Sequence, residues 1–292
     1  MPPDRRSYLV GLIGAGVGPS LTPELHEREA DRHGLRYVYR TIDVAAAGRG
    51  PDDIGALIGA AARLGFDGLN ITHPCKRTAP RHLDRLSAEA SLLGAVNTVL
   101  FTGGQAVGHN TDWSGFAHSF TRGLPGAPLG TVVLMGAGGA GAAVAYALLG
   151  LGAEHIAVVD AEPARARGLA AALRAHPGGD RVAGADRGAL PGLLARADGL
   201  VNTTPVGMAA EPGTPVPPGL LDPRTWVADV VYRPALTPLL DHAAALGCRT
   251  LGGTGMAVFQ AADAFRLITG AEPDTERMLD DMAALLAPST TP

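Results

Sequence analysis

The stretch Val132-Val133-Leu134-Met135-Gly136-Ala137-Gly138-Gly139-Ala140-Gly141 decides the fold of this 292-residue chain. Its four apolar residues predict a buried strand, and the glycines that follow have the spacing G-x-G-x-x-G. Between a strand and a helix, this motif lets the backbone approach a pyrophosphate, whose charge is stabilised by free N–H groups at the helix N-terminus. We therefore predict a dinucleotide site built on Gly136, Ala137, Gly138, Gly139 and Ala140.

The glycine spacing alone is weak evidence, because 40 glycines in the chain produce some such spacing by chance. The sequence around the motif strengthens the prediction. Asp160 lies 24 positions after Gly136 (160 − 136), at the end of the next predicted strand, residues 155–160. An acidic residue at that place accepts a hydrogen bond from the ribose 2′-hydroxyl of a dinucleotide. Asp160 is therefore a second candidate contact to the cofactor.

The same residue indicates which dinucleotide is used. The carboxylate of Asp160 would repel a 2′-phosphate, and residues 161–163 supply no cation to neutralise one. The sequence therefore favours NAD over NADP. Arg165 and Arg167 are close enough in sequence to keep NADP open, and Arg165 is included among the candidate cofactor contacts.

Strand and helix signals alternate along the whole chain, which predicts an α/β fold with parallel sheets and helices on their faces. The length predicts two domains, and the second opens near Trp113. Predicted strands are residues 8–13, 37–42, 68–71, 96–101, 106–109, 129–135, 155–160, 182–185, 199–202, 226–231 and 250–251. Predicted helices are residues 23–33, 52–64, a segment from 87, 141–149, 163–174, 255–269 and 276–286, and residues 288–292 are predicted to be disordered.

Composition and charge exclude several classes of protein. A net charge of −4 without a basic stripe argues against nucleic acid as a partner. Cys75 and Cys248 are too few for a disulfide framework and predict reduced thiols in a cytoplasmic protein. Residues 123–153 carry no charge, but the glycines within them indicate a strand, a turn and a buried helix rather than a membrane span. No cluster of side chains has metal-ligand spacing, so we expect no metal.

Polar residues interrupt otherwise apolar sequence before the glycine motif. They form four blocks, which are Ser20 with Thr22, residues 70–76, residues 95–98 and residues 110–112. Most of these blocks follow a predicted strand, where ligand sites gather in open α/β sheets. Each block alone could be a cap or a turn.

Together, the order and the residue sequences of these blocks resemble the motifs of the shikimate dehydrogenase family. Ser20-Leu21-Thr22-Pro23 resembles its Ser-x-Ser-Pro loop, residues 70–76 its Asn-Val-Thr-x-Pro-x-Lys, residues 94–98 its Gly-Ala-Val-Asn-Thr, and residues 108–112 its Gly-x-Asn-Thr-Asp. Residues 202–208, 229–232 and 253–256 with Gln260 extend the likeness through nearly the whole chain. The resemblance implies an α/β substrate domain (1–113), a Rossmann domain (114–247) and C-terminal helices (248–292) that return to the first domain.

The resemblance also implies a role for each matched position. Lys76 and Asp112 match the catalytic pair of the family. The substrate contacts of the family are matched by Ser20, Thr22, Thr72, Asn97 and Gln260. Four further positions match those around the nicotinamide or the edge of the substrate in the family. We assign Tyr232 to the substrate, and Thr203, Val230 and Gly253 to the cofactor.

Elementary chemistry agrees with these roles. Oxidation of a secondary alcohol needs a hydride acceptor at carbon and a base for the hydroxyl proton, and Lys76 can be that base. A carboxylate close to a lysine stabilises the ammonium form, so we expect Asp112 to orient Lys76 and the substrate hydroxyl. Hydroxyl and amide side chains suit a carboxylate and ring hydroxyls as partners.

Two departures from the family pattern narrow the expected substrate and cofactor. Biosynthetic members typically prefer NADP and carry Asn-Arg-Thr where this chain has Asp160-Ala161-Glu162, and Thr22 replaces the second serine of the substrate loop. Both departures resemble the NAD-dependent quinate/shikimate dehydrogenases. We therefore expect an NAD-dependent oxidoreductase, monomeric or homodimeric, that interconverts quinate with 3-dehydroquinate and shikimate with 3-dehydroshikimate. The alternatives are a dehydrogenase for shikimate alone or an amino analogue, and a non-catalytic domain that senses NAD or quinate.

Overall fold

The computed structural model of the protein describes residues 7–287, so the disorder predicted for residues 288–292 lies outside the described residues. The chain divides into two compact units. One contains the described residues up to Thr111 together with those from Val258, and the other contains Asp112–Ala257. Both units are built from sheets and helices, which confirms the predicted α/β class. The domain limits at residues 113 and 247 stay predictions.

The strands and helices follow one another in close alternation. The strands are β1 (Ser7–Gly14), β2 (Arg36–Asp43), β3 (Gly68–Ile71), β4 (Arg85–Leu86), β5 (Thr98–Thr102), β6 (Gln105–His109), β7 (Thr131–Met135), β8 (His155–Val159), β9 (Val182–Ala185), β10 (Gly199–Asn202), β11 (Trp226–Asp229) and β12 (Thr250–Leu251). The α-helices are α1 (Thr22–Arg32), α2 (Ile54–Arg63), α3 (Ala88–Leu93), α4 (Asp112–Gly123), α5 (Gly139–Gly150), α6 (Pro163–Leu173), α7 (Leu190–Leu194), α8 (Pro238–Ala245), α9 (Thr254–Thr269) and α10 (Thr275–Leu286).

The first unit contains a mixed sheet with the strand order β2-β1-β3-β5-β6-β4. Strand β1 is parallel to β2 on one side and to β3 on the other, and β5 is antiparallel to β3. The chain therefore reverses its winding direction between β1 and β3. Loops at the carboxyl ends of strands on either side of such a point form a crevice for ligands.

The second unit contains a sheet with the strand order β12-β11-β10-β7-β8-β9, in which every pair of neighbours is parallel. This is the strand order of a dinucleotide-binding Rossmann sheet. The winding direction reverses between β7 and β10, so the loops after these two strands lie at the expected ligand position. The glycine motif follows β7 directly.

Aliphatic side chains form the cores, as the scarcity of aromatic residues suggests. In the first unit Ile13, Leu69, Ile71 and Val99 are buried against α2 and the following turns. In the second unit the uncharged stretch 123–153 contains β7 and α5, as predicted. Within residues 7–287, the structure has no helix whose length and apolarity would let it span a membrane.

The strands predicted from the sequence are confirmed, whereas the two-residue strand β4 and three helices were missed. Helix α4 contains Gly115 and several short polar residues, so its local helical signal is weak. It is stabilised by packing, because Phe116 and Phe120 are buried and the Phe120 ring meets that of Trp226 edge-on at 4.9 Å. Helices α7 and α8 are short, although Thr237 caps α8 by accepting a hydrogen bond from the Leu240 N–H.

Candidate active site

The loop after β1 carries Ser20 and Thr22, for which the family resemblance implies contact with the substrate. Ser20 N–H donates to the Val17 carbonyl at 3.0 Å, and Thr22 N–H donates to Ser20 Oγ at 3.3 Å. Thr22 is the first residue of α1, and both side chains are half-buried. The structure therefore joins the Ser20 hydroxyl to the backbone of Thr22 in the loop that follows β1.

Asp43, the last residue of β2, holds this loop through hydrogen bonds to its backbone. Its carboxylate accepts the N–H of Val17 at 3.1 Å and the N–H groups of Ala45 and Ala46 at 3.0 and 3.2 Å. The N–H of Ala46 is the main reason that the pKa of Asp43 lies below its usual range, and the other N–H groups act in the same direction. The carboxylate therefore stays charged and keeps the loop in place at neutral pH.

The loop after β3 carries Thr72 and Lys76 at the same edge of the sheet. Thr72 N–H donates to the Ile13 carbonyl at 2.9 Å, which ties the loop to the end of β1. Lys76 lies in a single 3₁₀ turn, and its carbonyl accepts the Val96 N–H at 2.9 Å. Its side chain is half-buried. These two hydrogen bonds fix the backbone of Thr72 and Lys76 at this edge of the sheet.

Cys75, the residue before Lys76, is a core residue. Its side chain is fully buried and burial raises the pKa of its thiol, so it stays protonated at neutral pH. Cys248 is also buried, and neither cysteine forms a disulfide, as predicted. Neither thiol has the lowered pKa that a nucleophilic cysteine needs.

Asn97 and Gln260 are brought together in the first unit. Asn97 Nδ2 donates to Gln260 Oε1 at 3.3 Å and to Thr111 Oγ1 at 2.9 Å, while Asn97 Oδ1 accepts the Thr111 N–H at 2.8 Å. Thr111 Oγ1 donates in turn to the Gln260 carbonyl at 2.9 Å. Because β5 is antiparallel to β3, Asn97 before β5 shares the sheet edge with the loop that carries Lys76.

Asp112, Tyr232, Val230 and Gly253 belong to the second unit. Asp112 is the first residue of α4 and is only 4% exposed. Tyr232 follows β11 and is half-buried. A Cβ atom at Gly253 would overlap the carbonyl of Val230, so only glycine allows these two candidate positions to touch.

The glycine loop has the shape that a pyrophosphate requires. Gly136 has a φ of +99°, which favours glycine, and a Cβ atom at Gly141 would overlap the Gly136 carbonyl oxygen. The N-cap of α5 is Gly138, which has no side chain to accept the N–H groups of the first turn. Those N–H groups can therefore bind phosphate oxygens, and the described residues fit a dinucleotide.

Of three further candidate contacts, Thr203 and Asp160 touch this loop. Thr203 Oγ1, after β10, donates to the carbonyls of Met135 and Gly136 at 2.7 and 3.1 Å and joins the two strands at the reversal point. Asp160, after β8, accepts the Ala137 N–H. Arg165 instead pairs with Glu162 at 3.4 Å, and both side chains are at least half exposed. Such a surface pair is weak, so it leaves Arg165 able to rearrange.

A buried carboxylate lies at the carboxyl end of β11. Asp229 Oδ2 accepts the Thr237 hydroxyl at 2.7 Å, and Oδ1 accepts Asn202 Nδ2 at 2.9 Å and the Val231 N–H at 3.0 Å. Burial raises the pKa of Asp229 to about 6, against the opposing effect of these three hydrogen bonds. Asp229 thus fixes the turn that leads to Val230 and Tyr232, and it does so with a carboxyl group that titrates near neutral pH.

Sequence reasoning missed the residues that support the candidate contacts. Asn70 and Thr111 lie inside the quoted motifs but were given no role, although a polar residue in the buried strand β3 is a usable signal. Tyr39 had no signal, because β2 has the pattern of an ordinary half-buried strand.

Among residues 7–287, no group of three His, Cys, Asp or Glu side chains could hold a metal ion.

Comparison with known proteins identifies the family. Residues 12–99 match the model of the shikimate dehydrogenase substrate binding domain, and residues 253–280 match that of the shikimate 5'-dehydrogenase C-terminal domain. The chain is 64% identical to a shikimate dehydrogenase (NADP(+)) of Streptomyces avermitilis, over 96% of both chains. It is 50% identical to a quinate/shikimate dehydrogenase (NAD(+)) of Corynebacterium efficiens, over 93% of this chain and 96% of that relative.

A solved structure supports the same assignment. Quinate dehydrogenase from Corynebacterium glutamicum in complex with NAD matches this chain with a TM-score of 0.89 and 47% identity, over 96% of this chain and 100% of that one. These relatives use a nicotinamide dinucleotide, in keeping with the glycine loop described above. The matches extend over nearly the whole chain at high identity, and this chain belongs to the shikimate dehydrogenase family of oxidoreductases.

Proposed function

We propose that the protein is an NAD-dependent quinate/shikimate dehydrogenase, which oxidises the ring C3 hydroxyl of quinate or shikimate and reduces the corresponding dehydro acids. The carboxylate of Asp160 at the glycine loop is the observation that carries the choice of NAD. The hydroxyl and amide side chains at the edge of the first sheet support a substrate with a carboxylate and ring hydroxyls.

The choice of NAD rests on charge. Asp160 and Glu162 place two carboxylates at the end of β8, and the N–H groups of Ala137 and Glu162 hold the Asp160 carboxylate at 2.7 and 3.0 Å. A 2′-phosphate at this place would meet like charge, whereas a ribose 2′-hydroxyl would donate a hydrogen bond.

The chemical step needs a proton acceptor and a hydride acceptor. Bound nicotinamide supplies the hydride acceptor. In the direction of oxidation, the neutral amine of Lys76 takes the hydroxyl proton, and in the direction of reduction the ammonium returns it. Asp112 is the second member of the catalytic pair and orients the reacting groups. The hydrogen bond from the Val96 N–H to the Lys76 carbonyl fixes the backbone from which the lysine side chain extends.

Substrate binding is assigned to uncharged polar side chains. In this proposal the hydroxyls of Ser20 and Thr22 bind the substrate carboxylate or a neighbouring hydroxyl, and Thr72, Asn97 and Gln260 bind the ring hydroxyls. Tyr232 contacts the edge of the substrate. The hydrogen bond between the side-chain amides of Asn97 and Gln260 supports this assignment, since it holds the two candidate groups next to each other.

A second candidate is a shikimate dehydrogenase that uses NADP. It is favoured by the 64% identity to the Streptomyces avermitilis relative, which bears that name. The NAD-dependent relatives are less similar in sequence, at 48–50% identity. In the first candidate Asp160 would meet the ribose 2′-hydroxyl of NAD, and in the second it would meet the 2′-phosphate of NADP. The two candidates therefore differ in their preference between NAD and NADP.

Steady-state kinetics on the purified protein tests the proposal. Quinate and shikimate are each assayed with NAD and with NADP, and kcat/KM is compared for the four pairs. We expect turnover of both substrates and a clear preference for NAD over NADP. Turnover only in the pair of shikimate with NADP, and in none of the other three pairs, would favour the second candidate. Tight binding of NAD without turnover of either acid would favour a sensing domain.

A further inference from the structure

A chain of buried hydrogen bonds leads from β2, an edge strand of the first sheet, to the candidate substrate contacts. Tyr39 OH donates to Asn70 Oδ1 at 2.5 Å, and Asn70 Nδ2 donates to Thr98 Oγ1 at 3.1 Å. Thr98 Oγ1 then donates to Asn97 Oδ1 at 3.1 Å. Asn97 Nδ2 continues the chain to Gln260 Oε1. Every side chain before Gln260 is at most 5% exposed.

The direction of this chain is fixed by the backbone. Asn70 Nδ2 also donates to the Asn97 carbonyl at 3.3 Å, and Asn97 Oδ1 also accepts the Thr111 N–H at 2.8 Å. A backbone carbonyl can only accept and a backbone N–H can only donate, so neither amide can turn over. Asn70 Oδ1 must therefore face a donor, and Tyr39 is that donor.

The surroundings of Tyr39 keep its proton in place. The ring of His26 stacks on that of Tyr39 with centroids 5.1 Å apart and an angle of 4° between the planes. His26 is fully buried, and burial lowers its pKa to about 3, so the ring is neutral. Burial also raises the pKa of Tyr39 well above its usual range. Tyr39 therefore remains a phenol that donates to Asn70.

From this geometry we infer that Tyr39 and Thr98 are positioning residues, which act through Asn70 to orient the amides of Asn97 and Gln260 for the substrate. The inference rests on the proposed function, in which those two amides bind the ring hydroxyls. Tyr39 and Thr98 are themselves buried, so their effect reaches the substrate through Asn97. Gln260 accepts at Oε1 from Asn97, and its donor group Nε2 is thereby directed to the opposite side of the amide.

Tyr39→Phe is the first test, because it removes one hydroxyl and leaves the ring. Asn70 Oδ1 then lacks its buried donor, and the amide chain loosens. We expect KM for quinate and shikimate to rise by about tenfold. The values of kcat and of KM for the dinucleotide should stay within about twofold of wild type. A merely structural role would lower stability without this selective change in KM.

Tyr37→Phe is the matched control. Tyr37 lies two residues away on the same strand, and its hydroxyl lies 3.1 Å from His26 Nδ1, outside the chain that leads to Asn97. This variant also loses a hydroxyl from the same group of rings, although Tyr37 is half-buried. We expect it to lower the melting temperature while KM for the substrate stays at the wild-type value. Equal values of KM in the two variants would overturn the inference.

Thr98→Val tests whether the residues act in series. It removes the hydroxyl that links Asn70 to Asn97 and keeps the shape of the side chain. If the chain is continuous, the double variant with Tyr39→Phe has a KM close to that of Thr98→Val alone. Independent effects would multiply, and multiplied KM values would contradict a continuous chain.

An activity-independent measurement separates this inference from the proposed function. Side-chain amide protons of Asn97 and Gln260 are followed by NMR in the ligand-free protein, together with their exchange with solvent. Tyr39→Phe should shift the Asn97 resonances and speed their exchange, whereas Tyr37→Phe should not. If wild type turns over neither quinate nor shikimate, the proposed function fails and the NMR result still decides the inference. Unchanged Asn97 resonances in Tyr39→Phe would overturn the inference even in an active enzyme.

Discussion

The carboxylate of Asp160 accepts the backbone N–H of Ala137 in the glycine loop, with an Oδ2 to N distance of 2.7 Å. Its other oxygen accepts the N–H of Glu162 at 3.0 Å. The acid at the end of β8 is thus attached to the loop that would hold the pyrophosphate. Its position is set before any dinucleotide binds, so little ordering is required of it on binding.

The first prediction concerns the choice of dinucleotide. Replacement of Asp160 by Ser together with Ala161→Arg removes the acceptor for a ribose hydroxyl and supplies a cation for a 2′-phosphate. Loss of a charge-assisted hydrogen bond should lower kcat/KM for NAD by roughly tenfold to hundredfold, and kcat/KM for NADP should rise. Kinetics with both dinucleotides at saturating substrate measures the ratio.

Asp186→Asn is the control for the change of charge, because Asp186 is an exposed carboxylate of the same unit that pairs with Arg167. Its ratio of NAD to NADP should match wild type. An undiminished preference for NAD in the Asp160 variant would mean that this carboxylate does not face the ribose.

The second prediction concerns Lys76. Lys76→Ala should lower kcat by roughly 10²–10⁴, as expected for loss of general-base catalysis, and should leave the Kd for NAD within about twofold. Fluorescence titration gives the Kd and initial rates give kcat. Arg77→Ala, in the same 3₁₀ turn, is the control and should retain kcat. A small loss of kcat combined with weak NAD binding would refute the assigned role.

The third prediction concerns Thr22, which replaces the second serine of the Ser-x-Ser-Pro loop that residues 20–23 resemble. Quinate has one more hydroxyl than shikimate beside its carboxylate, and a buried hydroxyl without a partner costs about 1–3 kcal/mol. The methyl group of a threonine restricts its χ1 and so fixes its hydroxyl. Thr22→Ser should therefore lower kcat/KM for quinate relative to shikimate, by roughly a few-fold to tenfold.

The ratio of the two kcat/KM values at saturating NAD measures this effect. Thr22→Val keeps the branched shape without the hydroxyl, and it should weaken the turnover of both acids. If the ratio in Thr22→Ser equals that in wild type, discrimination between the acids lies elsewhere in the pocket.

The fourth prediction concerns stability and pH. Burial raises the folded-state pKa of Asp229 from 3.8 to about 6, so folding favours its protonated form. Its contribution to stability is complete below pH 3.8 and is lost as pH rises through about 6. The difference in pKa corresponds to about 3 kcal/mol.

Asp229→Asn isolates this contribution, since an amide can keep hydrogen bonds to Thr237 and Asn202 but cannot ionise. Free energies of unfolding from urea titrations at pH 4 and pH 7 provide the measurement. Relative to Asp229→Asn, wild type should lose up to about 3 kcal/mol between these two values. A constant difference between the two proteins would mean that Asp229 has no raised pKa.

Local sequence was enough to predict the described strands other than β4, and seven of the ten described α-helices. Strands β3, β9, β10 and β12 begin and end at the predicted residues, because short apolar runs between glycines and polar residues mark both ends. Helix α4 escaped prediction because burial of Phe116 and Phe120 stabilises it, and burial is a property of the fold. The length of a helix such as α7, with five residues, is likewise decided by its neighbours.

The candidate site shows the same division between local and tertiary information. Glycine spacing after a strand determined the dinucleotide loop by itself, because the turn and the close approach of Gly141 to Gly136 are local constraints on the backbone. Only the tertiary structure decided that Tyr39 supports Asn97, since the strand order brings β2, β3 and β5 into one sheet. Hydrogen bonds between residues 28 to 163 positions apart depend on that arrangement of strands and helices, and no local pattern in the sequence encodes them.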